Sequence, residues 1–186
     1  VAPDRIVSSS TVPTLQARTP LTLDDQIVIN ETGIIDGALV VVSSGFVSGD
    51  VLSYTGTLPT GVTKSYNSST GVLTFNGNIT PSELQAIFRA VQINTTSTNA
   101  QDRTITFNMG SALPFSGNNH FYQFITASGI SWTNAKTAAE QLTFFGRQGY
   151  LATVTSAAEN QFILSKIQGQ GWIGASDSQT EIGRAS

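Results

Sequence analysis

Apolar and polar positions change their rhythm near residue 110. Over residues 21–110 they run in short stretches with the grammar of strands. Gln26-Ile27-Val28-Ile29 and the run at 38–42 are β-branched. The segments 51–54, 71–75 and 104–107 alternate or nearly so, the period of a half-buried strand. Turn chemistry separates them at Asp36-Gly37, Ser48-Gly49-Asp50, Pro59-Thr60-Gly61 and Asn67-Ser68-Ser69-Thr70-Gly71, and short strands at this spacing predict an antiparallel sandwich. One helix interrupts them. Thr80-Pro81-Ser82-Glu83 supplies a capping hydroxyl, a proline at the first helical position and a glutamate three residues after the cap. Leu84, Ile87, Phe88 and Val91 then form one apolar face, so a short helix covers one end of the core.

Beyond residue 110 the pattern is strand, helix, helix, strand. Residues 121–125 are a predicted strand, followed by a helix over 132–145 with Ser131 as its N-cap and Gly146 as its stop. Trp132, Ala135, Ala139 and Leu142 make its apolar stripe. Ser156-Ala157-Ala158-Glu159 opens a second helix with a capping box. Phe162, Ile163 and Ile167 are its buried side, and Gly169 ends it. Residues 171–175 then read as a strand. The expected fold class is therefore two-domain: an all-β antiparallel sandwich followed by an α+β domain. An N-terminal extension occupies 1–19, the sandwich 20–110, a Gly/Pro/Asn/Ser-rich linker 111–119, and the second domain 120–186.

Composition narrows the function. Only 11% of the 186 residues are charged, and nine basic against twelve acidic residues leave a net charge of −3. A nucleic-acid binder needs a basic face, so that class is excluded. The chain has no cysteine and one histidine, which removes disulfides, thiolate chemistry and Cys- or His-rich metal centres. The longest nearly apolar run, 38–42, is far short of a spanning helix, so membrane insertion is not expected. The first residue is valine with no leader pattern, and the chain reads as a piece of something longer. A hydrolase would rest on His120, or on a carboxylate pair from Glu140, Glu159 and Asp177. No Gly-x-Ser-x-Gly context accompanies His120, Glu159 is accounted for as a cap, and Asp177 follows the predicted strand at 171–175 in a turn. The chain is expected not to be an enzyme and to hold no organic cofactor.

Two resemblances carry the functional reading further. His120-Phe-Tyr-Gln-Phe, Trp132-Thr-Asn-Ala-Lys-Thr-Ala-Ala, Gly149-Tyr-Leu-Ala-Thr-Val-Thr-Ser-Ala-Ala-Glu-Asn160 and Gly171-Trp-Ile-Gly-Ala-Ser-Asp177 resemble the first half of a C-type lectin-like domain. Gly45-Phe-Val-Ser-Gly-Asp-Val-Leu-Ser53, Ser65-Tyr-Asn-Ser-Ser-Thr-Gly-Val-Leu-Thr74 and Arg103-Thr-Ile-Thr-Phe107 resemble a bacterial cadherin-like, immunoglobulin-type repeat. Together they imply a fragment of a large extracellular or surface-anchored bacterial adhesin, in which a sandwich spacer presents a truncated lectin-like domain. Implied partners are a glycan or another surface ligand and the neighbouring repeats of the same chain. In the lectin-like family the sugar and calcium ligands lie in a long loop after the Trp-Ile-Gly strand. Glu181-Ile-Gly-Arg-Ala-Ser186 does not continue that pattern, so no carbohydrate-binding residue carries over. A purely structural stalk with a non-binding lectin-like remnant is the alternative.

Calcium is a candidate ligand. It takes six to eight oxygens, and Asp24, Asp25 and Asp36, with Glu31 nearby, cluster around the early strands. The repeat resemblance places Asp24-Asp25 where an acidic junction pair belongs, whereas Asn108-Met109-Gly110 stands where many relatives have Asn-Asp-Gly. The competing reading is plain turn chemistry. The resemblance makes Trp132 and Trp172 core residues rather than sugar platforms. Four Asn-x-Ser/Thr sequons, at Asn30, Asn67, Asn78 and Asn94, are expected by chance in a chain this rich in Asn, Ser and Thr.

Overall fold

The computed structural model describes residues 6–9, 12–167 and 169–174. The chain divides into two compact units, Val1–Pro114 and Phe115–Ser186.

The first unit holds β1 (Ile6–Val7), β2 (Leu21–Thr22), β3 (Val28–Ile29), β4 (Ile35–Ser44), β5 (Asp50–Tyr54), β6 (Thr63–Asn67), β7 (Val72–Ile79), α1 (Pro81–Arg89), β8 (Val91–Thr95) and β9 (Thr104–Met109). Three strands in the order β2-β8-β5 form one sheet and four in the order β6-β7-β4-β9 the other, all antiparallel. β1 pairs with β3 alone. Leu52, Tyr54, Val91 and Ile93 from the first sheet share one core with Val40, Val42, Leu73 and Phe75 from the second, which makes the unit the expected sandwich. The apolar run at 38–42 has its reason in β4, flanked on both sides by strands. Val40 and Val42 face the core, and Leu39 and Val41, on the other face by the period of two, are buried as well.

Helix α1 follows its sequence signals. Thr80 accepts from the Glu83 amide, and the Glu83 carboxylate reaches back to the Thr80 N–H at 2.9 Å. Leu84, Ile87 and Phe88 are buried, with Phe88 against Phe107 at 5.0 Å between ring centroids. Arg89 Nε donates to the Ile27 carbonyl at 2.9 Å and the Ile29 amide to Gln85 Oε1 at 3.1 Å, so the helix is tied to β3 by polar as well as apolar contacts. Val91 is buried, but as the first residue of β8 rather than the last of the helix face.

Asp36-Gly37 is not a turn. Both residues lie inside β4, where the register to β7 slips between Asp36 and Ala38. Gly37 takes φ +72° there, so the glycine marks a β-bulge, a role that shares its residue preference with turns. Asn67 keeps the predicted turn, its Oδ1 accepting from the amides of Ser69 and Thr70.

A polar clasp, outside the sequence expectations, closes one end of the sandwich. Asp50, with its side chain wholly buried, receives Arg103 Nε at 3.1 Å and Nη2 at 3.3 Å. It also accepts from the Val47 amide. Arg103 Nη1 donates to the carbonyls of Asn99 and Gln101, and Gln101 Nε2 to the Gly45 carbonyl. Tyr66 adds its hydroxyl to the Asp50 carbonyl at 2.7 Å. Gly45 has φ +71°, and a Cβ there would sit 1.9 Å from the Asp102 carbonyl oxygen. Gly45→Ala is expected to cost at least ~1–2 kcal/mol for the left-handed backbone alone, read as a lower denaturation midpoint with unchanged slope.

The second unit begins within β10 (Leu113–Phe115), which pairs with β11 (His120–Tyr122). The segment expected to be a linker at 111–119 is thus largely a hairpin. Its turn carries Asn119 at φ +58° and is held by the His120 amide donating to Asn118 Oδ1. The strand expected over 121–125 is limited to these three residues. Next come α2 (Trp132–Gln141), β12 (Thr143–Phe144), β13 (Arg147–Gln148) and α3 (Ala157–Lys166). Ser131 caps α2 as predicted, but the helix stops four residues short of the expected 145. Leu142 is extended, and Phe145 and Gly146, at φ +49° and +74°, form the tight turn between β12 and β13. Two consecutive positive-φ residues are what a two-residue hairpin turn requires, so Gly146 turns a hairpin instead of stopping a helix. Trp132, Ala135 and Ala139 of the predicted stripe are half-buried, while Leu142 is exposed. Helix α3 ends at Lys166, with Ile167 as its C-cap, before Gly169.

Residues 171–174 form no strand. The segment is held by one backbone bond, Gly174 N to the Ala152 carbonyl at 2.9 Å, with no neighbouring strand to extend the pairing. Ala175, Asp177 and residues 181–186 lie outside the described residues. Of the expected strand, helix, helix, strand pattern, both helices form and the strand expected at 171–175 does not form among the described residues. Among the described residues the protein is mostly β with three helices, and no described helix is long and apolar enough to cross a membrane.

Candidate functional site

The chemistry of the second unit is centred on Glu159. Tyr122 and Glu159 are the buried residues among those described in this unit. Tyr122 Oη donates to Glu159 Oε1 at 2.5 Å, and Asn118 Nδ2 donates to the same hydroxyl at 2.8 Å. The other carboxylate oxygen accepts from the Thr155 amide at 2.8 Å and the Thr155 hydroxyl at 2.9 Å. Ser156 Oγ accepts from the Glu159 amide, so half of the predicted capping box is present. Its other half is redirected: the glutamate reaches past the N-cap residue to Thr155 and Tyr122. Phe115 and Phe162 pack beside the pair, with Phe162 4.9 Å from Phe115 and 5.7 Å from Tyr122.

These contacts separate the two acidities. The hydrogen bond from Tyr122, then that from the Thr155 amide, hold the Glu159 carboxyl at about 2 against the opposing effect of burial. Burial, then the hydrogen bond to an already ionised carboxylate, pushes the Tyr122 phenol to about 12. A glutamate ionised throughout the neutral range donates no proton, so the geometry makes Glu159 an organising anion. Glu140 pairs instead with Lys136, and both side chains are largely exposed. His120 is exposed, its Nδ1 3.1 Å from the Tyr150 hydroxyl.

Around this centre the unit presents aromatic and aliphatic side chains to solvent. Phe121, Phe144 and Phe145 form a mutual cluster with centroid distances of 4.9, 5.9 and 4.4 Å. Phe121 is 41% and Phe145 48% exposed, and Tyr150, beside His120, is 57% exposed. Trp172 corrects the core expectation, since it is 53% exposed. Its indole Nε1 donates to the Ile130 carbonyl at 2.7 Å, and Trp132 Nε1 donates to the Ile173 carbonyl at 2.9 Å. The two indoles therefore fasten the 171–174 segment to the start of α2 by their polar edges, which leaves much of the Trp172 ring in solvent.

The proposed calcium residues are not brought into a shared cage. Asp24 is buried and its two oxygens accept from the Ser9 amide at 2.7 Å and the Gln26 amide at 3.0 Å. Asp25 accepts from Gln26 Nε2, and Asp36 lies on β4 opposite Asn78. No group of three or more His, Cys, Asp or Glu able to hold a metal occurs among the described residues. Amide donors aimed at a carboxylate occupy the lone pairs a cation would use. Thermal unfolding in excess calcium and in chelator is accordingly expected to superimpose. A bound ion at a hundredfold excess over its Kd would add about 2.7 kcal/mol, and such an upward shift would restore Asp24, Asp25 and Asp36 as ligands.

Halomucin from Haloquadratum walsbyi is similar to this chain. The two are 35% identical over 198 aligned positions, which take in 97% of this chain and 2% of halomucin. The chain thus spans a small fraction of the curated relative it matches, while nearly all of it is matched. No family model and no solved structure matches.

Proposed function

We propose that this chain is a segment of a long extracellular adhesin-like protein. In this reading the sandwich is a cadherin-like spacer, and the second unit is a lectin-like module that binds a glycan or another surface ligand. The observation that carries it is the contrast between the units. The sandwich encloses Phe75, Phe88 and Tyr54, whereas the second unit turns Phe121, Phe145, Tyr150 and Trp172 outward. Phe121 and Phe145 share one exposed aromatic cluster, exposed apolar patches mark interaction surfaces, and aromatic rings with a polar edge, as Tyr150 and Trp172 have, suit a partner that is apolar on one face and polar on the other, as a sugar ring is. Similarity to 2% of halomucin supports a module within a very long chain, and the low charge suits a surface spacer.

A glycan array probed with the protein tests this reading. A reproducible signal lost in Tyr150→Ala or Trp172→Ala, with the far-ultraviolet spectrum unchanged, is the expected result. Silence across the array would favour the second reading, a structural stalk whose lectin-like part binds nothing. The absence of the expected strand at 171–174 is the observation behind that alternative.

A further inference from the structure

We infer that His120 and Tyr150 form an acid-gated subsite for the carboxylate of an acidic sugar. The inference deepens the glycan-binding reading above and rests on it. The two side chains come from separate elements, and the backbone beside each is fixed. His120 opens β11, with its amide on Asn118 Oδ1 at 3.0 Å. Tyr150 follows the β12–β13 hairpin, where the Gly149 amide bonds the Leu142 carbonyl at 2.8 Å. Their rings meet edge to face at 6.0 Å between centroids, with Tyr150 Oη 3.1 Å from His120 Nδ1. Both side chains are exposed, so a ligand in solution reaches the pair.

Counting hydrogens gives the pair two states. A neutral imidazole carries one N–H and the phenol one O–H. Whichever tautomer is present, one of these hydrogens lies in the bond between the two rings and the other is left for a ligand. The imidazolium carries two N–H groups. Its Nδ1 hydrogen goes to Tyr150 Oη, and both the phenol O–H and the Nε2–H are left, together with a positive charge. A carboxylate only accepts, so protonation of the imidazole gives it a second hydrogen bond and a favourable charge. A neutral sugar hydroxyl donates or accepts as required, and it fits either state.

The charges around the imidazole act in the same direction. Glu159 of α3 lies close enough for its charge to interact with His120. Its oxygens are committed to Tyr122 and Thr155, and the Tyr122 hydroxyl to Glu159 and Asn118, so neither competes for the ligand. With His120 neutral, the Glu159 charge stands alone behind the pair and repels an anion. With His120 protonated, that charge is balanced. The phenols of Tyr150 and Tyr122 also face the imidazole, the second at 6.4 Å between ring centroids. Imidazoles ordinarily change charge between about pH 5 and 8, and the gate works in that range.

The test is an array of matched oligosaccharides ending in a hexuronate or in the corresponding neutral hexose, probed with the protein at about pH 7.5 and about pH 5. A hexuronate is ionised at both, and so is Glu159, held at about 2. The hexuronate signal should rise about tenfold or more on acidification, while the hexose signal changes little. His120→Gln should show no rise and Tyr150→Phe a smaller one, with tryptophan fluorescence confirming an intact second unit. A hexuronate signal equal at both pH values, a rise that persists in His120→Gln, or binding confined to neutral sugars would overturn the inference and leave the glycan-binding reading standing. No signal from any glycan at either pH would overturn that reading, and this inference with it.

Discussion

Arg103→Leu is expected to destabilise the sandwich by about 3–5 kcal/mol, because it leaves the buried Asp50 carboxylate without its cation. The double variant Asp50→Asn, Arg103→Leu should recover part of that loss, since the uncompensated charge is gone and Asn still accepts from the Val47 amide. The measurement is denaturant unfolding followed by far-ultraviolet circular dichroism and amide exchange at β5 and β9. Both tryptophans lie in the second unit, so their fluorescence should stay unchanged. A loss below ~1 kcal/mol would mean that water reaches Asp50 and that the clasp acts as a surface pair. The pH dependence has a definite sign. Burial pushes the Asp50 carboxyl up, but hydrogen bonds from Arg103, Thr95 and Val47 outweigh it and hold the group below its ordinary value of 3.8. Its contribution is then complete above that value and is lost as the pH falls below it.

Glu159→Gln should have the corresponding effect on the second unit. An amide at this position keeps one acceptor for Tyr122 but turns an N–H₂ toward the Thr155 donors, or the reverse. Toward Thr155 the N–H₂ meets the Thr155 N–H, donor against donor, and toward Tyr122 it leaves the phenol proton without its acceptor. Tryptophan fluorescence is expected to report unfolding at clearly lower denaturant, with the sandwich transition unmoved. The acid titration sharpens the test. With the folded carboxyl at about 2 against an ordinary 4.5, wild-type stability of this unit is complete above 4.5 and declines as the pH falls toward 2. The variant should lose this acid-dependent loss. A wild-type curve flat from pH 5 to 2 would show that the Tyr122 contact does not hold the charge.

What could be read from the sequence followed the physical range of each signal. Helix α1 is local: cap, proline, reciprocal glutamate and the Leu84, Ile87 and Phe88 face all lie within residues 80–88 and are where expected, and only Val91 passed to the next strand. The strands over 38–42, 51–54, 71–75 and 104–107 were legible because β-branched runs and alternation state burial directly. Gly37 and Gly146 were misplaced because positive φ serves a bulge, a hairpin turn and a helix stop alike, and only the partner strand decides among them. Strand β6, Thr63–Asn67, has little apolar character and owes its existence to the edge of β7. The Asp50–Arg103 clasp joins residues 53 apart. Its single sequence signal was the scarcity of charge, which makes each ion pair in this chain worth locating. Glu159 was noticed as a cap, and the Tyr122 hydroxyl 37 residues away gave it a second role that no local pattern contains. Trp172 shows the limit of resemblance: the pattern implied a core ring, but without a paired strand at 171–174 the ring is more than half exposed and its nitrogen bonds the Ile130 carbonyl.

The use of arginine as internal fastening has a consequence for digestion. A protease that cleaves after cations finds nine in the chain. Within the sandwich, Arg89 and Arg103 are held against carbonyls and a carboxylate, and Lys64 lies in a strand with its ammonium on the Tyr54 carbonyl. Lys136 and Arg147 of the second unit stand exposed on a short helix and a two-residue strand. The shortage of charge also thins the scissile bonds between β2 and β9, so such a protease is expected to cut first at Arg18, exposed ahead of those strands, and at the exposed cations of the second unit.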